Sequence, residues 1–332
     1  MITFYYIYLI QIIRSFTWLR ILNLLKLRIT FYLSYIFKIH KTSLLPAFVS
    51  IEPTNICNLK CPECPTGIGS SSVKKGTMSF DLFQTIIPQI SNHTFFVNLY
   101  FQGEPFLNES LPQMISEIYK ARMVSSISTN AHFITQENAK KIVASRLTKL
   151  IISFDGYNQE TYEKYRKGGN FESVLASIQT IVKAKKEAHS NLPLIELQCL
   201  LFKHTENKTK EIKDLAKKMG ADIVVFKTAQ FYSLENIEML PQKKNSRYTV
   251  QNNELKIKKN IANKCWRMWS SCVISWQGNI IPCCFDKDHT YSFGNVSEQK
   301  LNAILQSKQT FQFKKNVHEQ RKCMKMCENC TS

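Results

Sequence analysis

The chain has 332 residues, of which 44% are hydrophobic, and its ten glycines and ten prolines exclude a long disordered tract. The formal net charge of +19 at pH 7 allows a nucleic acid or an anionic membrane as a partner. Much of this charge falls on predicted solvated helix faces such as residues 210–220, so nucleic acid is not the favoured partner.

Residues 1–45 are predicted to form a basic amphipathic segment. This segment has no acidic residue, and its basic residues are Arg14, Arg20, Lys26, Arg28, Lys38 and Lys41. Its apolar runs are shorter than the roughly 20 residues of a membrane-spanning helix, and no signal-peptide cleavage site follows them. Two interpretations stay open. The segment lies on the inner surface of a membrane, or it forms a pair of helices packed on the main domain.

Residues 46–232 alternate between β-rich apolar runs and segments of helical period. The six runs cover residues 47–52, 95–101, 123–129, 149–155, 194–202 and 222–230. The apolar residues Phe171, Val174, Ile178 and Ile181 recur at spacings of three and four, which predicts one buried face of a helix. Gly220 is predicted to end a later helix. Apolar strands alternating with helices are typical of a covered parallel sheet. We therefore predict an α/β fold, a partial (β/α)6 TIM-like barrel.

Cys57, Cys61 and Cys64 follow the first predicted strand, at the end of a parallel barrel where catalytic residues lie. In a cytoplasmic chain of this size, which we expect from the missing signal peptide, clustered cysteines are more often metal ligands than disulfides. A cubic iron–sulfur cluster normally has four thiolate ligands. Three thiolates leave one iron open, as in catalytic metal sites. A structural zinc loop is the alternative.

This C-x3-C-x2-C loop after the first strand resembles the signature of the radical SAM superfamily. The resemblance implies that the three cysteines hold a [4Fe–4S] cluster, whose open iron binds the amino and carboxylate groups of S-adenosylmethionine (SAM). It also implies that reductive cleavage of SAM produces a 5′-deoxyadenosyl radical, which removes a hydrogen atom from the substrate. The same cysteine spacing recurs at residues 323–330, so the residues around each group must decide which group resembles the SAM-binding site.

Polar residues follow the next three predicted strands, in segments similar to the SAM contacts of this family. The second strand leads into "YFQGEP", similar to the family's Gly-Gly-Glu-Pro element. The resemblance implies that the following residues contact SAM: Gln102, Gly103, Glu104, Pro105, Ser128, Asn130, Ser153, Asp155 and Arg166. Each residue alone also has a structural explanation, such as turn formation at Asn130 and Asp155. Their shared position at strand ends favours a common site.

Two positions depart from the family pattern. Gln102 replaces the first glycine of the Gly-Gly-Glu-Pro element. The residue before the third cysteine, often aromatic and placed against the adenine, is Glu63 in this chain. We therefore expect the adenine contact to come from Phe133 or from the backbone of the sixth strand.

Residues 233–254 are polar and are predicted to form a connection, and residues 255–332 a small Cys-rich C-terminal domain with a hairpin turn at Gly278. The spacing from Cys265 to Cys283 is similar to the SPASM domain, in the shortened form called twitch. The resemblance implies an auxiliary [4Fe–4S] cluster held by Cys265, Cys283, Cys327 and Cys330. A structural zinc site is the alternative there.

Four further cysteines are not assigned as ligands. Cys284 is the rival of Cys283, because neighbouring residues of a strand point to opposite faces. Cys199, Cys272 and Cys323 are interpreted as core or incidental thiols.

The sequence therefore predicts a radical SAM enzyme, an oxidoreductase or peptide-modifying enzyme, that acts on a peptide or protein. It would receive electrons from a flavodoxin- or ferredoxin-type reductant. Three alternatives stay open: oxidation or rearrangement of a small polar metabolite such as a sugar or aminocyclitol, RNA modification, and a non-catalytic iron–sulfur sensor.

Overall fold

The structure is a computed structural model that describes residues 2–38 and 44–330. Two helices open the chain, α1 (Ile2–Arg14) and α2 (Trp18–Phe37). The strands that follow are β1 (Phe48–Ile51), β2 (Phe96–Asn98), β3 (Val124–Thr129), β4 (Lys149–Ser153), β5 (Leu194–Leu201) and β6 (Ile223–Thr228). The helices among them are α3 (Pro65–Ile68), α4 (Phe80–Ile90), α5 (Leu111–Lys120), α6 (Gln136–Ala144), α7 (Gln159–Tyr165), α8 (Phe171–Glu187) and α9 (Thr209–Met219).

The C-terminal part adds two hairpins and three helices. Its strands are β7 (Tyr248–Gln251), β8 (Glu254–Ile257), β9 (Ser271–Ile274) and β10 (Ile280–Ile281). Its helices are α10 (Trp266–Ser270), α11 (Leu301–Leu305) and α12 (Lys308–Gln320). The predicted turn at Gly278 is confirmed, with a left-handed φ of 89°. Gly220 likewise caps α9 in the left-handed conformation.

One sheet organises the molecule, in the order β10-β9-β1-β2-β3-β4-β5-β6. Strands β1 to β6 pair in parallel with their sequence neighbours. The predicted α/β fold with a partial (β/α)6 barrel is therefore confirmed. Strand β9 pairs in parallel with β1, so the Cys-rich C-terminal region continues the barrel sheet beyond its first strand.

The two faces of the sheet differ in polarity. Val49 and Ile127 lie in the large apolar core with the helices. Because strand residues alternate between faces, Ser126 and Ser128 point to the barrel interior. The interior also holds the buried ion pair between Lys149 and Glu196, at 2.9 Å. Apolar packing thus fills the helix side, while the inner side is polar.

Helices α1 and α2 cover the amino-terminal ends of the strands. Phe4 of α1 packs with Leu194 at the start of β5, and Leu27 of α2 packs with Ala47 and Phe95, which precede β1 and β2. Residues 2–38 thus form helices packed on the main domain, which is one of the two interpretations of this segment. Membrane contact of the segment stays a prediction, and residues 39–43 lie outside the described ranges. No helix within residues 2–38 or 44–330 is both long and apolar enough to cross a membrane.

The β7–β8 hairpin, which the sequence prediction missed, crosses the predicted boundary between the connection (residues 233–254) and the C-terminal domain. Its turn residues Asn252 and Asn253 have φ values of 51° and 58°, as a tight two-residue hairpin turn requires. Tyr248 and Val250 alternate with polar residues before this turn. The alternation was visible in the sequence but was masked by the high local charge.

Candidate functional site at the carboxyl ends of the strands

The three cysteines of the first cluster lie on the loop after β1, which we call the cluster loop (residues 52–64). Cys61 is buried, and Cys57 and Cys64 are half-buried. The loop packs on an apolar group formed by Leu59, Tyr165, Phe202 and Phe231. The three thiols therefore lie at the carboxyl end of the barrel, as predicted. An aromatic surface lies next to them.

Gly103, in the turn after β2, brings that turn against the cluster loop. Its φ is 72°, and a Cβ there would lie 2.4 Å from the Thr54 carbonyl oxygen. The next backbone N–H, of Glu104, donates to the Ile56 carbonyl at 2.8 Å. The cluster loop therefore makes a close backbone contact at Gly103.

The Glu104 carboxylate is buried and accepts three hydrogen bonds. The donors are Thr129 Oγ1 at 2.6 Å, the Asn130 N–H at 2.7 Å and the Phe106 N–H at 3.1 Å. Burial raises the pKa of Glu104. Its side chain therefore ties the end of β3 to the turn after β2, where Pro105 is also buried.

Polar side chains at the ends of β3 and β4 differ in their partners. Asn130 Nδ2 donates to Asn58 Oδ1 at 2.8 Å and lies 3.8 Å from Cys57 Sγ. Ser128 lies near the end of β3 and is half-buried on the inner face of the sheet. Ser153 is buried at the end of β4. These two hydroxyls have no hydrogen-bond partner among the described residues, so both can bind a ligand.

Asp155 and Arg166 form a buried ion pair beside the cluster loop. Arg166 Nη2 and Nε lie 2.5 Å and 2.6 Å from Asp155 Oδ2, and Arg166 Nη1 lies 3.8 Å from Cys61 Sγ. Burial alone would lower the pKa of Arg166, but the Asp155 carboxylate and the neighbouring groups raise it well above its usual value. Arg166 is therefore paired with the carboxylate of Asp155.

Two buried side chains join the cluster loop region to the C-terminal half. Gln102 accepts from Thr66 Oγ1 at 3.2 Å and donates to the Lys287 carbonyl at 2.9 Å. Glu63 accepts from the Tyr232 N–H at 2.9 Å and from Asn236 Nδ2 at 2.6 Å. The two departures from the family pattern thus act as ties between regions.

The second cysteine group surrounds one cavity in the C-terminal region. Cys265, Cys283, Cys327 and Cys330 all line this cavity, which we call the auxiliary cavity. Cys284 lines only a neighbouring cavity that reaches Ser50 and Asn98 on the inner face of the barrel sheet. This arrangement favours Cys283 as the fourth ligand, a choice that the sequence left open.

Two sequence profiles match the chain. The radical SAM superfamily profile matches residues 51–216, and the SPASM profile, described as an iron–sulfur cluster-binding domain, matches residues 265–331. The chain belongs to the radical SAM superfamily. This radical SAM enzyme therefore uses SAM and a [4Fe–4S] cluster, and its SPASM domain adds a further iron–sulfur cluster.

Several known proteins are similar to this radical SAM enzyme. The tungsten-containing aldehyde ferredoxin oxidoreductase cofactor-modifying protein of Pyrococcus furiosus is 25% identical over 294 residues, 78% of this chain and 81% of that protein. SuiB of Streptococcus suis bound to precursor peptide SuiA is 14% identical, with a TM-score of 0.62 over 90% of this chain and 72% of SuiB. BtrN in complex with AdoMet and 2-DOIA is 19% identical, with a TM-score of 0.52 over 87% and 94%. The two solved structures establish a common fold.

The thiols of the radical SAM enzyme fit iron–sulfur ligation. Burial raises the pKa of Cys57 to about 11, and also raises that of Cys61. Such thiols lose their protons only when a metal compensates the buried charge. Among the described residues no three His, Cys, Asp or Glu side chains converge on a single-ion position. A cubic cluster places each thiolate on a different iron, so its ligands are spread more widely.

The sequence prediction missed two charged residues of these sites. Arg321 is buried beside the auxiliary cavity, with Nη2 3.2 Å from Cys330 Sγ. Glu52 is fully buried at the end of β1, accepts from the Trp276 N–H at 3.2 Å, and has a pKa raised to about 7 by burial. Alternation along β1 signals that Glu52 points inward, whereas no local pattern signals Arg321.

The remaining predicted residues are placed as follows. Cys199 and Cys272 are buried in the sheet, which agrees with core thiols, and Cys323 is exposed. Phe133, the expected adenine contact, lies half-buried after β3.

Proposed function

We propose that this radical SAM enzyme modifies a peptide or protein. The observation that carries the proposal is an open cleft of about 440 Å³ between the cluster loop side, the β7–β8 hairpin and the C-terminal region. An open cleft beside the predicted SAM position suits an extended chain of which one residue enters the barrel.

The lining of the cleft also supports a peptide. Aromatic side chains and charges of both signs alternate around it: Phe231, Tyr232, Phe285, Asp286, Lys287, Tyr291, Lys325 and Glu328. Aromatic rings bind apolar side chains, and flanking charges bind a backbone or charged side chains. SuiB, a protein of the same fold, was solved with its precursor peptide.

In the proposed site, Cys57, Cys61 and Cys64 would hold the [4Fe–4S] cluster and leave one iron for SAM. When bound, the cluster and SAM would supply radical chemistry that removes hydrogen from the substrate. Ser128 and Ser153 offer their unpaired hydroxyls to the polar groups of SAM.

The other residues predicted to contact SAM have supporting roles around these cysteines and serines. The Glu104 carboxylate is fully engaged, so the turn formed by Gln102, Gly103, Glu104 and Pro105 would meet the SAM ammonium through backbone carbonyls. Asn130 keeps Asn58 beside Cys57. Asp155 orients Arg166 toward Cys61.

The auxiliary cluster would be a [4Fe–4S] group held by Cys265, Cys283, Cys327 and Cys330. Four protein ligands leave no iron for the substrate, which suits electron transfer rather than substrate binding. Its cavity shares Cys283 with the cavity that opens on the inner face of the barrel.

We place the enzyme in the cytoplasm, at the inner surface of a membrane, with a flavodoxin- or ferredoxin-type protein as electron donor. A reducing compartment keeps eleven cysteines available as ligands.

A second candidate reaction is oxidation or rearrangement of a small polar metabolite. It is favoured by the match to BtrN, of which this chain covers 94%. The polar inner face of the barrel, with Lys149 and Glu196, is compatible with such a substrate.

The test is anaerobic reconstitution with iron and sulfide, followed by measurement of 5′-deoxyadenosine with SAM and a reductant. We expect SAM cleavage, its stimulation by a peptide encoded beside this gene, and a mass change in that peptide. Stimulation by aminocyclitols or sugars, and by no peptide, would establish the second candidate instead.

A further inference from the structure

The two N-terminal helices carry most of the exposed apolar surface. Of the 21 large apolar side chains that are exposed in the described part of the chain, 15 lie within residues 2–37. They are Ile2, Tyr5, Tyr6, Leu9, Ile10, Ile13, Phe16, Trp18, Leu19, Leu25, Ile29, Tyr32, Leu33, Ile36 and Phe37. We call this surface the N-terminal face.

The face of α2 that meets the barrel is polar at several positions. Arg20 is 2% exposed, and its guanidinium donates to the Ser91 and Ala121 carbonyls, both at 2.6 Å. These carbonyls end α4 and α5, where the helix dipole favours a cation. Asn23, also buried, donates to the Leu45 carbonyl at 2.8 Å. Directed contacts therefore hold α2 in one orientation on the barrel.

The opposite face of α2 is apolar, although a surface helix usually presents polar residues to solvent. Leu25, Ile29, Tyr32 and Ile36 recur at spacings of three and four residues and are 53–70% exposed. Because Arg20 fixes the inward side, this stripe cannot turn into the core. An exposed apolar surface of this continuity marks an interaction site.

The charged side chains of the N-terminal face itself are all positive. Residues 1–45 contain no acidic residue, and Lys26, Arg28 and Lys38 are exposed on this segment. Exposed Arg122 and Arg146 follow α5 and α6 at the same end of the barrel. An apolar stripe among basic side chains is complementary to anionic lipid. In a symmetric dimer through this face, the same cations would meet each other.

We propose that the N-terminal face docks this enzyme on an anionic lipid bilayer, with α1 and α2 lying in the plane of the interface. This inference rests on the proposed localisation, and it does not depend on the proposed reaction. The helices cover the amino-terminal ends of the strands, so the cluster loop and the cleft face away from the lipid. The substrate would then arrive from the aqueous side.

The test is co-sedimentation of the full chain with vesicles of phosphatidylcholine containing phosphatidylglycerol, and with vesicles of phosphatidylcholine alone. We expect binding to the anionic vesicles that weakens with salt. The double variant Leu25→Ser/Ile29→Ser should reduce the bound fraction about tenfold, and Lys26→Glu/Lys38→Glu should remove the preference for phosphatidylglycerol.

A matched control is Ile237→Ser/Val250→Ser, which removes two exposed apolar side chains outside the N-terminal face. It should bind vesicles like the unmodified protein, and the Leu25/Ile29 variant should keep its SAM cleavage. Equal binding of the two double variants would overturn the proposal. The proposal would also be overturned if the unmodified protein did not bind anionic vesicles. A dimer that the Leu25/Ile29 variant dissociates, without vesicle binding, would be such an outcome.

Discussion

The cluster loop and the auxiliary cavity both place cysteines beside a buried arginine, but they differ in how they are closed. At the cluster loop, three thiols share one side with unpaired hydroxyls of Ser128 and Ser153, and Arg166 is held by Asp155. In the auxiliary cavity four cysteines surround the space, and Arg321 donates to Cys330 Sγ and to the carbonyls of Ala262 and Lys264.

This difference matches two kinds of iron–sulfur chemistry. An incomplete ligand set with free polar groups nearby can bind SAM, whereas a complete set can only exchange electrons. The carboxylate at Arg166 also matters. The Asp155 carboxylate holds the Arg166 guanidinium near Cys61 and balances the positive charge of the guanidinium. The arginine therefore stays in place without binding the Cys61 thiolate strongly.

The largest expected effect comes from removing a cluster-loop ligand. Cys61→Ala should abolish SAM cleavage because three thiolates are the minimum that hold the cluster. The measurement is 5′-deoxyadenosine formation after anaerobic reconstitution. Cys199→Ala, at a buried cysteine in β5, is the control and should retain cleavage. Cleavage by the Cys61 variant at the normal rate would contradict the ligand assignment.

The auxiliary site can be tested through its two adjacent cysteines. Cys283→Ala should lower the iron content by about half, because one of two four-iron clusters is lost. Cys284→Ala should leave the iron content unchanged, since Cys284 does not line the four-cysteine cavity. Iron and sulfide analysis of both variants decides the point, and the reverse pattern would assign the ligand to Cys284.

Breaking the Asp155–Arg166 pair should weaken the cluster-loop side alone. Asp155→Asn leaves a buried guanidinium without its counter-charge, which typically costs about 3–5 kcal/mol of unfolding free energy. The control is Glu160→Gln, which breaks an exposed pair with Lys164 and should change stability by less than about 0.5 kcal/mol. Chemical denaturation measures both. Similar small losses would show that the buried pair is not structural.

Glu52 should make stability depend on pH. Burial raises its pKa from 4.5 to about 7, although Lys287 opposes the shift. The folded protein therefore binds this proton more tightly, and the free energy of unfolding should fall as pH rises from 4.5 to 7, by up to about 3 kcal/mol. Glu52→Gln should flatten this slope in denaturation curves, and an unchanged slope would exclude Glu52 as its source.

The smallest expected effect separates two glycines with similar backbone angles. Gly103 and Gly168 have φ values of 72° and 79°, but only Gly103 has backbone atoms where a Cβ would lie. Gly168→Ala should cost about 1 kcal/mol for the left-handed backbone, and Gly103→Ala about 1–3 kcal/mol more. Thermal unfolding of both variants compares them. Equal losses would mean that the turn after β2 is not pressed against the cluster loop.

Much of the barrel could be predicted from the sequence, because each strand carries its own apolar run. The run at residues 194–202 became β5, and the helical face that begins at Phe171 became α8. The β7–β8 hairpin was missed, since its strands have only four residues each and lie in a polar stretch of the sequence. Its stability comes from the apolar side of Tyr248 and Leu255, which faces the cleft.

The exposed apolar face of α2 was also beyond local prediction. Its sequence is apolar on most sides, so periodicity could not say which side is buried. The contacts of Arg20 with Ser91 and Ala121 lie 71 and 101 residues away in the chain. Those carbonyls become a binding place for a cation only when α4 and α5 end beside each other.

The sequence by itself determined the parallel α/β barrel, the two cysteine groups and the polar residues at the strand ends, because these depend on neighbouring residues and on strand alternation. Only the tertiary structure decided that Cys283 rather than Cys284 joins the four-cysteine cavity, that Asp155 pairs with Arg166, and that Glu104 braces β3. Each of these depends on distances between side chains after the chain has closed, and such distances leave no local pattern for the sequence to show.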